Sequence, residues 1–224
     1  MKYQGVFFDF DYTLGDSTPA IAEGYRLGFA ALGLDPPTVD EVRTTIGLTL
    51  ADGYSLLTGD HDPERQEAFY STFQHTVGVK AQGEGRTLMI EGTTLFPGAV
   101  ELLQALRDQG VRTAIVSTKP GETIRSIFDH QGRLDLLDLV VGGDEVHHSK
   151  PHPEGLRMAL ERLGLGSEQV LFCGDTVIDA ATAQAGGCEF CAVLNGTTKA
   201  PAFERFPSVH IAQDLTDLKD WIAV

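Results

Sequence analysis

The sequence predicts an α/β protein whose core is a doubly wound parallel sheet, with an all-helical domain inserted near the start of the chain. From residue 97 onward, strand-like and helix-like segments alternate, as expected for parallel strands joined by right-handed crossovers. Residues 16–95 show helical spacing and no further core strand. At 224 residues, of which 42% are hydrophobic, the chain is long enough for one large domain that carries an insertion.

The first predicted strand ends in two acids. Residues 6–8 are consecutive apolar side chains, which is typical of a central parallel strand covered on both faces. Asp9 and Asp11 follow at the carboxyl end, where such sheets bind ligands, and their i, i+2 spacing directs both to the same side. Two carboxylates this close tend to share one proton, which gives a nucleophile and an acid. A strand followed by a solvated acidic loop is the simpler alternative.

The insertion begins with a helix signal. Thr18 followed by Pro19 predicts an N-cap and a first helical position, and apolar side chains recur at helical spacing as far as Gly33. Three further helices are predicted, over residues 39–46, 48–57 and 64–77. The glycine-containing residues 83–85 and 92–94 are interpreted as flexible joints that close the region.

The separation of two predicted strands sets the domain boundaries. The strand ends at Asp9 and Ser117 lie about 100 residues apart, whereas a strand–helix–strand unit needs about 30 residues. We therefore assign residues 1–15 and 96–224 to the α/β core and residues 16–95 to a helical cap domain. Because the insertion is tethered at both ends beside the acidic turn, we expect it to act as a lid over the carboxyl edge of the sheet.

The core elements after residue 97 follow in order. The predicted strands cover residues 111–116, 139–141, 170–173 and 190–194. The predicted helices are centred on residues 100–106, 124–128, 156–163 and 180–185. Residues 209–221 are expected to add an edge strand and a closing helix.

Charge and cysteine content limit the function classes. With 17 basic and 32 acidic side chains, the net charge is −15, which repels nucleic acid. Three cysteines are too few for a disulfide framework and indicate a reducing, cytoplasmic location. Cys188 and Cys191 have the spacing of a redox or metal pair, but without a second pair we favour a structural role. No apolar run approaches the roughly 18 residues of a membrane span, so we expect no membrane partner. From the charge we expect no nucleic-acid partner. We expect the protein to be a monomer or a homodimer.

Polar residues suited to one chemistry follow three more predicted strands. Ser117 and Thr118 lie at a helix approach, where free backbone amides favour an oxyanion. Lys150 lies in an extended segment before a proline. Asp175 and Asp179 open a helix at i and i+4, so both present oxygen ligands for a hard cation. Each group alone has a simpler interpretation as a helix cap or surface charge, but their joint occurrence at strand ends indicates a site.

The order of these residues resembles a known family. The four signature motifs of the haloacid dehalogenase (HAD) superfamily are similar, in chain order, to Asp9-x-Asp11-x-Thr13, Ser117, Lys150 and Asp175 with Asp179. The resemblance is to the phosphoglycolate-phosphatase-like branch, whose Rossmann-like core carries a helical cap after the first motif. It implies a phosphatase for small phosphate monoesters, such as phosphoglycolate, nucleotides or sugar phosphates. It also implies Mg²⁺ as cofactor, an aspartyl-phosphate intermediate, and a small phosphorylated metabolite as partner.

The resemblance further implies a role for each residue. Asp9 would attack phosphorus, and Asp11 would protonate the leaving alcohol and then activate water. Lys150 would be catalytic by keeping Asp9 ionised. The implied phosphate-binding residues are Thr13, Ser117, Thr118 and Lys150. The implied magnesium ligands are Asp9, Asp11 through its backbone carbonyl, Asp175 and Asp179.

Other functions stay open at this point. A β-phosphoglucomutase-like phosphotransferase or a pyrophosphatase of the same superfamily would use the same motifs, although the mutases usually carry a histidine where Ile21 stands. A receiver-like or silent phosphate-binding module would also use acids, a hydroxyl and a lysine. Asp11 favours turnover, because a base at that place speeds hydrolysis of an acyl phosphate.

Two further features depart from the simplest pattern. Many relatives have glycine where Tyr12 stands, which predicts strain if that position needs a positive φ. Three histidines, His147, His148 and His152, surround Lys150. Their irregular spacing and oxygen-rich surroundings disfavour a zinc site.

Overall fold

The computed structural model describes residues 2–78 and 80–222. The chain divides into two compact units, which we call the core unit and the cap unit. The core unit comprises Met1–Gly15 and Leu95–Val224, and the cap unit comprises Asp16–Thr94. Leu95, which the sequence assigns to the insertion, thus falls in the core unit.

The core unit is built on a parallel sheet. The described strands of both units, numbered along the chain, are β1 Gly5–Phe8, β2 Gly15–Asp16, β3 Thr94–Leu95, β4 Arg112–Val116, β5 Leu139–Val141, β6 Val170–Gly174, β7 Glu189–Val193 and β8 Ser208–Ala212. Six of them form one sheet in the order β5-β4-β1-β6-β7-β8, and β2 pairs with β3. The pairs within the six-stranded sheet are parallel. Because β1 lies between β4 and β6, the carboxyl ends of these three strands meet at one edge.

Helices account for most of the remaining chain. The cap unit contains α1 Thr18–Ala31, α2 Val39–Arg43, α3 Leu50–Thr58, α4 Pro63–Thr76 and α5 Glu84–Glu91. The core unit contains α6 Ala99–Asp108, α7 Gly121–His130, α8 Glu154–Leu163, α9 Val177–Gly186 and α10 Leu215–Ile222. The predicted alternation of strands and helices after residue 97 is confirmed, as is the α/β fold class.

The central strand β1 is buried on both faces. Val6 and Phe8 belong to one apolar cluster, and Phe7 belongs to the cluster on the other face. Successive side chains of a strand point to opposite faces. The uninterrupted apolar run is therefore what a strand covered by helices on both sides requires.

The interior of the cap unit is aromatic. Helices α1, α3 and α4 contribute Tyr25, Phe29, Tyr54, Phe69 and Phe73. The ring of Phe69 is central, with centroids 5.0 Å from Tyr25 and 5.3 Å from Tyr54. A methyl group added at Gly28 of α1 would lie 2.6 Å from the Phe69 ring. Glycine at this position therefore lets α1 and α4 approach closely.

Two local predictions in the insertion are wrong. The sequence predicts a joint over residues 83–85, whereas α5 begins at Glu84. Gly83 precedes this helix with a φ of 58°, which glycine adopts without strain, so the glycine marks a helix start. The sequence also predicts Thr18 as the N-cap of α1, whereas Ser17 holds that position and Thr18 is the first helical residue.

Two composition-based expectations concern membranes and cysteines. Among residues 2–78 and 80–222, no helix has the length and apolar character needed to cross a bilayer. Cys173, Cys188 and Cys191 are unpaired and buried. Burial raises the pKa of the Cys188 thiol to about 12, so this thiol stays protonated at neutral pH.

Candidate active site

Asp9 lies directly after β1 at the carboxyl edge of the sheet and is 1% exposed. Its backbone N–H donates to the carbonyl oxygen of Cys173 on β6 at 2.9 Å. Its Oδ1 accepts from the backbone N–H of Phe10 at 2.7 Å. These two bonds hold the carboxylate at the point where the chain leaves the sheet.

The turn after Asp9 has a positive φ at Tyr12, the condition under which the sequence predicts strain. Tyr12 has a φ of 60°, a region that favours glycine. Its backbone N–H donates to Gly15 O at 2.7 Å, and Leu14 N–H donates to Phe10 O at 2.9 Å. The side chain of Tyr12 is buried. The hydrogen bonds of the turn and the burial of the ring therefore hold Tyr12 in a backbone conformation that is strained for tyrosine.

Lys150 connects two buried acids. Its side chain is 5% exposed, and its Nζ lies 2.9 Å from Asp9 Oδ2 and 2.6 Å from Asp179 Oδ1. Burial alone would lower the pKa of Lys150, but the charges of Asp179 and Asp9 raise it above the ordinary value. Lys150 is therefore a permanent positive charge beside Asp9.

A third acid completes a buried triad. One carboxylate oxygen from each of Asp9, Asp175 and Asp179 lies within 4.8 Å of the other two. The backbone N–H and the hydroxyl of Thr176 donate to Asp179 Oδ2 at 3.0 and 2.6 Å. This capping contact leaves Asp179 Oδ1 to accept from Lys150. A Cβ at Gly174 would lie 2.4 Å from that of Asp179, so glycine lets α9 begin this close to the sheet.

The electrostatics of the triad fit a divalent cation. Burial raises the pKa of Asp9 to about 6, more than the Lys150 charge lowers it. Burial also raises the pKa of Asp175 well above its usual range, and the charges of Asp179 and Asp9 add to this rise. When all three are ionised, the buried carboxylates facing the Lys150 ammonium carry excess negative charge. Carboxylate oxygens are the ligands that hard divalent cations prefer, and such a cation would neutralise this charge.

Ser117 and Thr118 follow β4, the strand beside β1. The Ser117 side chain hydrogen-bonds Asp9 and thereby lowers the pKa of that acid. Ser117, Thr118 and Lys150 line one cavity of the core unit. The structure thus brings together the predicted phosphate-binding residues of two motifs, while their contact with phosphate stays a prediction.

Asp11 pairs with a residue that the sequence analysis missed. Asp11 is 9% exposed, and its Oδ2 accepts from Lys119 Nζ at 3.0 Å. Lys119 is 8% exposed, although a loop lysine ordinarily lies at the surface. The sequence feature that could have identified Lys119 is its position two residues after Ser117, a predicted site residue. The Asp11 carboxylate is not part of the triad, and a metal contact through its backbone stays a prediction.

Thr13 supports the triad in this structure. Its buried hydroxyl donates to Asp175 Oδ1 at 3.0 Å, and its predicted contact with phosphate stays a prediction. The loop after β7, which the sequence analysis also missed, contributes Asn195 and Gly196. Asn195 Nδ2 donates to Thr13 O at 3.1 Å, and a Cβ at Gly196 would lie 2.1 Å from Asp175 Oδ2. Glycine therefore allows the backbone to approach this carboxylate.

A second cluster of metal-ligand side chains lies on the segment that carries Lys150. His148, His152 and Glu154 each offer a ligand atom within 4.8 Å of the other two. His148 and His152 are exposed, and both line the cavity of Ser117 and Lys150. Glu154 lies in α8 rather than in the histidine segment, so the spacing of the histidines alone does not reveal it.

Comparisons with known proteins agree with the motifs. The model of the family haloacid dehalogenase-like hydrolase matches residues 6–193. A phosphoglycolate phosphatase of Rhodobacter capsulatus is 34% identical over 200 residues, covering 88% of this chain and 86% of that protein. The phosphoglycolate phosphatase of Escherichia coli K12 is 31% identical, with 96% and 90% covered. A solved structure from Bacteroides fragilis, described as a haloacid dehalogenase-like hydrolase, has a TM-score of 0.89 and 37% identity, with 97% and 100% covered.

The chain belongs to the haloacid dehalogenase-like hydrolases. It is a phosphoric monoester hydrolase of this type. A structure from Clostridium acetobutylicum at 21% identity shares the fold, with a TM-score of 0.87 and 100% of this chain covered. The family and the enzyme class predicted from the motifs are confirmed, whereas the roles of individual residues stay predictions.

Proposed function

We propose that this protein is a Mg²⁺-dependent phosphatase that hydrolyses phosphoglycolate and similar small phosphate monoesters through an aspartyl-phosphate on Asp9. The observation that carries the proposal is the contact of Lys150 with Asp9 and Asp179 at 2.9 and 2.6 Å. An ammonium group beside a buried carboxylate keeps that carboxylate available as a nucleophile and attracts the phosphate. The curated relatives named phosphoglycolate phosphatase support the substrate class.

Asp9 and Asp11 have different roles in the first step, the transfer of the phosphoryl group to the enzyme. A carboxylate oxygen of Asp9 attacks phosphorus in line, and the bond between phosphorus and the leaving oxygen breaks. Protonated Asp11 gives its proton to that oxygen, so the product leaves as an alcohol. Ser117 and Lys150 hold the phosphoryl oxygens during the transfer.

The second step returns both acids to their starting states. Water attacks phosphorus of the aspartyl-phosphate, and Asp11, now a carboxylate, takes a proton from that water. The bond between phosphorus and the Asp9 oxygen breaks, which releases inorganic phosphate. Asp11 is then protonated again and Asp9 is again a carboxylate.

The triad supports a metal requirement. Asp9, Asp175 and Asp179, with the backbone carbonyl of Asp11, would hold Mg²⁺, which neutralises charge between the nucleophile and the phosphate when bound. Thr13 and Asn195 keep this edge in place through their contacts at 3.0 and 3.1 Å. The excess negative charge of the triad is the feature that favours a divalent over a monovalent ion.

Phosphate release from a panel of esters tests the proposal. The panel contains phosphoglycolate, a nucleoside monophosphate, a hexose phosphate and pyrophosphate, each with Mg²⁺ and with chelator. We expect phosphoglycolate to be among the best substrates and chelator to stop release. Release that persists in chelator contradicts the metal requirement, and isomerisation of the hexose phosphate without release would indicate the mutase alternative.

A further inference from the structure

The two oxygens of Asp11 have different surroundings. Oδ2 accepts a hydrogen bond from Lys119 Nζ at 3.0 Å. Oδ1 is buried and, within the described part of the chain, has no hydrogen-bond partner. An unpaired buried carboxylate oxygen opposes folding, so its presence next to the reacting acid Asp9 points to a use in the reaction.

Lys119 is held firmly on the other side of this contact. Its backbone N–H donates to Ser117 Oγ at 3.3 Å, and its carbonyl oxygen accepts from Gly143 N–H at 3.1 Å. Its ammonium lies 5.9 Å from the centroid of the Phe10 ring. The contact has side-chain exposures of 7% for Lys119 and 11% for Asp11, so water competes little with it. A buried, anchored cation restricts the rotation of the carboxylate that it binds.

We propose that Lys119 is a positioning residue for Asp11. Lys119 fixes Oδ2, so that Oδ1 is the oxygen that gives its proton to the leaving alcohol and later takes a proton from water. This inference rests on the acid–base role of Asp11 in the proposed function. It adds no new bond change to the two steps, because Lys119 acts only through its hydrogen bond to Oδ2.

The dependence on the leaving group separates this role from a structural one. A 4-nitrophenolate leaving group needs no proton, whereas an alkyl leaving group does. For Lys119→Met we expect kcat/KM to fall about 100-fold with phosphoglycolate, the size of one general-acid contribution, and less than about threefold with 4-nitrophenyl phosphate. Because Asp11 also acts in the second step, the variant should release a burst of nitrophenolate before steady turnover. Lys119→Arg should restore much of the alkyl-ester activity.

The controls make each failure distinguishable. Asp11→Asn must show the same leaving-group dependence, and if it does not, the proposed function fails whatever Lys119 does. If Asp11→Asn shows it and Lys119→Met lowers both substrates equally, Lys119 binds phosphate or supports the fold, and the positioning role is overturned. The double variant should be no slower than Asp11→Asn alone. The exposed lysine Lys199 provides a matched control, because Lys199→Met should change neither substrate.

A different observation carries a second proposal, at the exposed cluster beside Lys150. Glu154 Oε2 lies 2.8 Å from His148 Nδ1 and 3.9 Å from His152 Nδ1. The two imidazole rings are neighbours, with centroids 4.6 Å apart. Ligand atoms around a tetrahedral zinc ion lie roughly 3.3 Å apart, and the two distances to Glu154 bracket that value. The three ligand atoms lie within 4.8 Å of one another. To bind one ion, the exposed His152 ring would turn its Nδ1 away from the backbone N–H of Glu154, which now lies 3.3 Å from it.

Backbone N–H groups hold the Glu154 carboxylate in a fixed orientation. Its carboxylate accepts from the backbone N–H groups of His147 and His148 at 2.9 and 3.0 Å. The backbone bond from His147, then the imidazole contact of His148 and its backbone bond, lower the pKa of Glu154 to about 2, so the carboxylate is ionised at neutral pH. Two nitrogen ligands and one oxygen ligand suit Zn²⁺, Co²⁺ or Ni²⁺ rather than Mg²⁺.

We infer that His148, His152 and Glu154 form a transition-metal site, distinct from the aspartate triad, with water as a further ligand. The irregular spacing of the histidines disfavours zinc when the histidines are considered alone. Glu154 of α8 supplies the third ligand, which removes that objection. Both histidines line the cavity of Ser117 and Lys150, so an ion at this site would lie beside the phosphate-binding residues.

Cobalt and zinc binding test the site directly. With excess Mg²⁺ present to fill the triad, Co²⁺ should give the visible absorption of a site with nitrogen ligands, and Zn²⁺ should displace it. His148→Asn with His152→Asn should weaken Zn²⁺ binding by at least about tenfold, whereas His130→Asn, at another exposed histidine, should not. Equal Zn²⁺ affinity in the double variant and the parent, or loss of Zn²⁺ binding in Asp175→Asn alone, would overturn the inference.

Discussion

The carboxyl edge of the core sheet and the interior of the cap unit are both buried, but with opposite kinds of side chain. The edge contains charged groups, namely Asp9, Asp11, Lys119, Lys150, Asp175 and Asp179. The interior of the cap unit contains aromatic rings, namely Tyr25, Phe29, Tyr54, Phe69 and Phe73. Burial of rings favours folding, whereas burial of charges opposes it unless the charges are paired.

The raised pKa values show what this difference means for each region. Asp9 and Asp175 are held where burial favours their protonated forms, so the ionised edge is electrostatically unfavourable until a cation binds it. The aromatic cluster contains no such charges, and its closely packed rings stabilise the cap unit. The edge is therefore arranged for reaction, and the cluster for stability.

The largest expected effect separates activity from stability at the edge. Asp9→Asn removes the nucleophile, so we expect phosphate release to fall by about 10⁴-fold or more, as for loss of a nucleophile in other enzymes. The free energy of unfolding in chelator should not fall, because a buried charge is removed. Full activity in this variant would remove Asp9 as the nucleophile. Urea unfolding followed by circular dichroism measures the stability, and phosphate release from the same preparation measures the activity.

The next effect concerns the cation of the edge. Lys150→Met leaves Asp9 and Asp179 without their ammonium partner, so we expect the free energy of unfolding in chelator at pH 8 to fall by about 3 to 5 kcal/mol. Mg²⁺ should restore part of this loss, because it neutralises the same carboxylates. Urea unfolding with and without Mg²⁺ measures both effects. A loss below about 1 kcal/mol would mean that the acids do not depend on Lys150.

The pH dependence of stability isolates Asp9. Its pKa is about 6 in the folded protein against 3.8 ordinarily, so the folded state holds this proton more tightly than the unfolded state. The resulting stability is present below about pH 4 and is lost as the pH rises through 6, by up to about 3 kcal/mol. In chelator, Asp9→Asn should therefore gain stability relative to the parent between pH 4 and 7. A constant difference between the two proteins would contradict the raised pKa.

The smallest effect tests the cap unit. A methyl group at Gly28 would lie 2.6 Å from the Phe69 ring, so Gly28→Ala should lower the free energy of unfolding by about 1 to 3 kcal/mol through overpacking. Alanine favours a helix over glycine by about 1 kcal/mol, so a net gain in stability would show that the rings yield easily. Adding Phe69→Leu should reduce the penalty for Gly28→Ala, and thermal unfolding of the four proteins measures the coupling.

Local patterns predicted much of the fold, and they predicted the strand-end acids and Lys150 that the structure brings together. The strand over residues 139–141 was predicted with the bounds that β5 has, because a short apolar run between turns has few other interpretations. The α5 helix was missed because Gly83 and Gly85 resemble a flexible joint, while in the structure Gly83 supplies the turn before the helix. Glycine permits both outcomes, and only the contacts of the following residues distinguish them.

The sequence by itself determined which groups stand at the strand ends, since apolar runs and the polar residues that follow them are local properties. The tertiary structure alone decided which of these groups touch. Lys119 meets Asp11 across 108 positions of the chain, and Thr13 meets Asp175 across 162. Such pairs depend on the order and register of β1, β4 and β6, which arise from packing of the whole sheet. Periodicity within any one segment carries no information about that packing.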